Sequence, residues 1–149
     1  MKRNLLALAL LAAATSPTWA AECTTTVESN DQMQFNVSSI TVPKACSEFT
    51  VTLKHTGNLP KAAMGHNLVV TSTADMAGVA ADGMGAGLEN DYVKPGDERV
   101  IAASKIIGGG ESATLTIPVS QLKADESYSF FCSFPGHSAI MKGELILGG

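Results

Sequence analysis

Cys132, His137 and Met141 fall within ten positions of one another, joined by the turn-forming run Phe134-Pro135-Gly136. A thiol, an imidazole and a thioether so close together make a soft-metal loop. Thiolate favours Cu(I), zinc or iron, imidazole suits copper and zinc, and thioether serves copper as a long axial contact. Copper is the first candidate, with zinc and a reactive thiol beside a histidine still in contention. One more strong ligand would complete a trigonal set of two histidines and a cysteine. His66 can supply it, and Gly65 before it lets the backbone approach an ion closely enough for its carbonyl to act as a weak further contact.

The 149-residue chain has three cysteines, so one disulfide leaves one thiol over. Cys23 and Cys46 are close in sequence, flank a strand-like stretch and lack neighbouring ligand residues, which pairs them and frees Cys132. An unpaired thiol in an oxidising compartment is exposed to oxidation unless something occupies it, and metal ligation does so. That compartment follows from residues 1–20: Lys2-Arg3, an apolar run from Leu5 to Ala14, and small residues at Thr18 and Ala20 read as a signal peptide cleaved after Ala20. The run is about half the roughly 20 residues a membrane helix needs, and no later run reaches that length. The expectation is an exported protein without a membrane span, residues 21–149 forming a single domain.

Removing Lys2 and Arg3 takes the net charge from −4 to −6. Such a balance argues against nucleic acid.

The elements that must carry the loop are short. Met33, Phe35 and Val37, then Phe49, Val51 and Leu53, then Leu115, Ile117 and Val119 alternate with polar residues, the period of half-buried strands. Further β-rich runs cover Asn67 to Thr71, Arg99 to Ala102, Ser127 to Cys132 and Glu144 to Leu147. The pattern predicts an all-β sandwich, with Pro118 at an edge strand or bulge. Between Thr73 and Leu88 the spacing of Met76, Val79 and Ala80 predicts one short helix in a long connection. Cys132 then ends a strand, and Gly136 turns the chain so that His137 returns beside it.

Gly65-His66-Asn67, Cys132-Ser133-Phe134-Pro135-Gly136-His137 and Met141 resemble the copper motifs of the azurins, a cupredoxin family of type 1 blue copper proteins. Ala21-Glu22-Cys23, Asn30 to Asn36, Gly57 to Lys61 and Ala74-Asp75-Met76 resemble azurin stretches in the same order, so the likeness covers the chain from Ala21 onward. It implies a Greek-key cupredoxin sandwich holding one copper in the periplasm. His66, Cys132 and His137 would be the equatorial ligands, with Met141 axial and the Gly65 carbonyl opposite. The Cys23–Cys46 bridge carries over. Asn67 would tie the two ligand loops together, and the Phe134 amide would donate to the sulfur, both tuning the potential.

The resemblance further implies a monomeric electron carrier, not an enzyme, that serves c-type cytochromes or periplasmic reductases and dehydrogenases. They would dock on an apolar patch around His137 formed by Met33, Leu59, Met64, Met84, Phe134, Pro135 and Ala139. His55 matches a buried histidine whose protonation follows redox state in some relatives, and a structural role is as good a reading. Copper storage or delivery is the alternative, kept open by Met64, Met76 and Met84. One departure stands out: Leu68 occupies a place where azurins commonly bury a tryptophan, and Trp19, the chain's one tryptophan, lies in the signal segment.

Overall fold

The computed structural model describes residues 21–149; the expected signal peptide, with Trp19, lies outside the described residues. Among these residues, eight strands run β1 Thr24–Ser29, β2 Ser39–Pro43, β3 Glu48–His55, β4 Val69–Ser72, β5 Val100–Ala103, β6 Ser112–Pro118, β7 Tyr128–Phe131 and β8 Lys142–Gly148. They form two sheets, one ordered β1-β3-β6 and the other β2-β8-β7-β4-β5. β1 pairs with β3, and β2 with β8, in parallel. The other pairings are antiparallel. This is the two-sheet β-sandwich that the alternating segments and the resemblance imply.

Period-two burial places Phe49, Val51 and Leu53 of β3 and Leu115 and Ile117 of β6 on the inner face, where they meet Ile40, Val42, Val70, Phe130 and Leu145 of the other sheet. Each fully buried side chain of this size contributes about 1.5–3 kcal/mol. Pro118 does close an edge strand, β6. The helix α2 spans Met76–Ala86. Its Val79, with Met76 and Ala80 beside it, packs on Val69 and Phe131, so β4 and β7 are covered on both faces. That second cover explains the unbroken apolar runs in these two strands. A four-residue helix, α1 (Lys61–Met64), had no counterpart in the sequence expectations.

One expectation fails. Met33, Phe35 and Val37 do not form a strand, although Phe35 makes an isolated bridge to Ser29. Local side chains capture the backbone instead: Asn30 Oδ1 accepts from Gln32 N at 2.9 Å, Asn36 Oδ1 accepts from Glu28 N at 2.8 Å, and Met33 is left-handed at φ 56°. Asparagine side chains that satisfy the main chain in this way compete with a ladder. The loop they build, rather than a strand, brings Asn30 to the centre described next.

Candidate metal centre

His66, Cys132 and His137 converge, as expected, and all three are buried. The Cys132 sulfur lies 3.8 Å from His66 Nδ1 and 3.7 Å from His137 Nδ1, and the two nitrogens are 3.2 Å apart. Edges of this size suit donors held about 2.0 to 2.3 Å from one shared ion.

Sheet register makes the meeting possible. Val69 of β4 stands opposite Phe131 of β7. Continuing that antiparallel register by two residues sets Asn67 opposite Ser133, so the residues flanking each come together across 66 positions of sequence. There the strand ladder gives way to side-chain bonds. Asn67 Oδ1 accepts from Ser133 N at 2.8 Å, and Asn67 Nδ2 donates to Ser133 Oγ at 2.8 Å. These two bonds join the segment after His66 to the segment after Cys132. The loop after Cys132 closes on itself, with His137 N donating to Phe134 O, Met141 N to His137 O and Cys132 N to Met141 O at 2.8 to 3.0 Å. Gly136 takes φ 83°, which permits the reversal.

Gly65 is buried for a steric reason. A β-carbon there would lie 2.6 Å from Ile106 Cγ2 and would also strike the Lys61 carbonyl. The Gly65 carbonyl is 4.0 Å from the Cys132 sulfur. Met141, fully buried, closes the loop beside Cys132.

The histidine protons are assigned by their partners. His66 Nε2 faces the Asn30 carbonyl at 2.8 Å, so it carries the proton and leaves Nδ1 as a lone pair toward the cluster. Burial is the main reason its pKa falls to about 4, and burial lowers that of His137 too. Two buried imidazoles and a thiol converging on one point form a donor set for a soft or borderline cation. Burial raises the Cys132 thiol to about 11, opposed by amide hydrogens of Asn67 and Phe134 that donate to the sulfur.

His55 stacks on His66 with ring centroids 4.6 Å apart. Its Nδ1 accepts from Gly57 N at 3.0 Å and its Nε2 meets the Met64 carbonyl at 2.9 Å, so both nitrogens serve structure. Around His137, Phe134 lies 4.5 Å away between centroids. Leu59 and Met84 are exposed, Pro135 and Ala139 likewise, and Met33, Met64 and Phe134 are half-buried. Leu68 is fully buried in the main core. Sequence reasoning overlooked Asn30, Ser133 and Asp91, whose carbonyl accepts from Asn67 Nδ2 at 2.8 Å. None of these has a side-chain type that singles it out.

Residues 21–148 match the model of copper binding proteins of the plastocyanin/azurin family. The azurin of Pseudomonas aeruginosa is 56% identical over 147 residues, covering 99% of both chains. That of Alcaligenes faecalis is 63% identical over 126 residues, covering 85% of this chain and 98% of its own. A solved azurin from Methylomonas sp. strain J superposes with a TM-score of 0.84 at 50% identity, covering 87% of this chain and all of that one. These likenesses and the convergent His66, Cys132 and His137 support copper as the cofactor and electron transfer as the activity. The chain belongs to the plastocyanin/azurin family of copper-binding proteins.

Proposed function

We propose that His66, Cys132 and His137 would hold one type 1 copper, with Met141 and the Gly65 carbonyl as further, weaker ligands. The protein then passes single electrons between soluble redox partners in the periplasm, after removal of residues 1–20. The observation that carries this reading is the buried triangle of two imidazole Nδ1 atoms and one thiol sulfur, with edges of 3.2 to 3.8 Å.

Bound copper supplies a one-electron Cu(I)/Cu(II) couple, for which thiolate and imidazole together are a compromise donor set. The chain's contribution is rigidity and dryness. Asn30 and Asn67 fix the first loop, and the turn bonds from Phe134 to Met141 fix the second, so neither oxidation state reorganises its donors much. Amide donors on the sulfur withdraw electron density and favour the reduced ion. His137 is the least buried of the three donor-bearing residues, the Phe134 ring lies beside it, and Pro135 and Ala139 in the same loop are exposed. An uncharged surface there suits brief docking of a cytochrome or a periplasmic oxidoreductase by a monomeric carrier.

Two competing roles fare worse. A nucleophilic Cys132 needs a lowered pKa, whereas burial pushes it up to about 11. Copper delivery needs accessible exchange ligands, but these donors are buried. Copper loading with metal analysis decides the matter: the wild type should show an intense blue charge-transfer band and reversible one-electron voltammetry, and Cys132→Ser should lose both. A colourless wild type with copper bound would overturn the assignment.

A further inference from the structure

We propose that Asp91 is a positioning residue for the metal centre, setting through Ile106 how closely the Gly65 carbonyl approaches the Cys132 sulfur. The proposal rests on the copper reading above.

The connection between α2 and β5 contains two consecutive left-handed residues that are not glycine, Asp91 at φ 56° and Tyr92 at φ 52°. Side chains resist this backbone, and a fold keeps it only where surrounding contacts over-determine it. Here they do. The Asp91 carbonyl accepts from Asn67 Nδ2 at 2.8 Å and from Ser133 Oγ at 3.4 Å. Its carboxylate Oδ1 accepts from Ile106 N at 2.8 Å. One residue thus joins the neighbour of His66, the neighbour of Cys132 and the β5–β6 connection.

The third of these bonds bears on the metal centre. Ile106 is buried, and its Cγ2 occupies the space where a β-carbon on Gly65 would sit. The next residue, Ile107, exchanges both main-chain bonds with His66, at 3.0 and 2.9 Å. Held by the Asp91 carboxylate, Ile106 wedges the Gly65 peptide from one side while Ile107 fixes its successor. The adjacent Tyr92 ring meets Phe134 edge-on at 5.2 Å, and Phe134 in turn covers His137. The left-handed pair therefore reaches all three donor-bearing residues without touching the ion's place.

The oxygen matters here, not the charge. Asparagine tolerates left-handed backbone and offers the same Oδ1 acceptor. Glycine keeps the backbone angle and the carbonyl bonds but removes the acceptor. Without it Ile106 loosens and the Gly65 carbonyl is free to move inward, where a hard oxygen donor favours the oxidised ion.

The test compares wild type, Asp91→Gly, Asp91→Asn and Arg99→Ala in reduction potential and visible spectrum when copper-loaded, and in Zn(II) affinity by chelator competition when metal-free. Arg99 braces the same connection from outside, through Asp82 and Asp97. Asp91→Gly should lower the potential and, because the same oxygen can then approach a divalent ion, raise zinc affinity. Asp91→Asn should match the wild type. Arg99→Ala should lower the melting temperature with potential and spectrum unchanged. A wild type lacking the blue band defeats the copper reading itself. A wild type with the band and an Asp91→Gly protein of unaltered potential and affinity defeats only the role of Asp91, as does an Asp91→Asn protein displaced as far as Asp91→Gly. Should Asp91→Gly fail to fold, Ile106→Ala decides by the same readouts, an unaltered potential and affinity again overturning the proposal.

Discussion

Asn67 grips Ser133 with both ends of its amide, Oδ1 on the Ser133 N–H and Nδ2 on the Ser133 hydroxyl, each at 2.8 Å. All four of these groups are in buried residues, so the clamp has no water to substitute for it. It holds the loop of His66 against the loop of Cys132.

Replacing Asn67 with leucine leaves the Ser133 amide and hydroxyl without those partners, at about 1–3 kcal/mol for each buried group stranded. Asn67→Leu should lose about 2–6 kcal/mol in urea unfolding of the metal-free protein, on the same basis. The copper form should also show a lower potential, because the amide donors to the Cys132 sulfur are no longer held. Voltammetry with the urea titration checks both.

Metal binding near pH 7.5 should release about one proton per ion. The thiol, raised to about 11 by burial, is protonated beforehand and must give up its proton to ligate. His66, at about 4, is already neutral. Zinc calorimetry in buffers of different ionisation enthalpy measures the number, and a value near zero would show that the thiol starts as thiolate.

The metal-free protein should lose stability in mild acid. His66 has a folded pKa of about 4 against an ordinary value of 6.5, so between these the unfolded chain binds a proton that the native state refuses. The sign is destabilising as pH falls through that window and flat above it, worth as much as about 3 kcal/mol. Bound copper or zinc should remove this pH dependence until the metal itself dissociates. Denaturant midpoints of the two forms from pH 7 to 4 test the contrast.

The Cys23–Cys46 bridge should affect stability alone. Closing a loop of this length is worth about 3–4 kcal/mol in the chain-entropy model. The bridge sits at the start of β1, whereas Asn30 and the metal cluster lie past its end, roughly 20 Å away by strand rise. The double variant Cys23→Ala, Cys46→Ala should therefore unfold at lower denaturant and keep the wild-type spectrum and potential.

Much of the fold was legible because burial on one face of a strand writes itself as alternation, as in Phe49, Val51 and Leu53. Met33, Phe35 and Val37 show the same alternation and form a loop, since Asn30 and Asn36 satisfy the local main chain. β1, rich in threonine, has Val27 as its one aliphatic residue and does not stand out, while β2 alternates Ile40 with Val42 over only five residues and finds its parallel partner, β8, near the other end of the chain.

From the residues alone came the Cys132 to Met141 loop, the odd cysteine left by pairing Cys23 with Cys46, and the candidacy of His66. Spacing within a loop is a local matter of chain geometry, so ten residues suffice to declare it. Which distant groups meet that loop is set by sheet register and packing. The Val69–Phe131 pairing brings Asn67 to Ser133, a side-chain-built loop delivers the Asn30 carbonyl to His66, and left-handed Asp91 reaches Ile106. Main-chain carbonyls and amides are the same in every residue, so only the tertiary structure could say which of them hold the metal's donors in place.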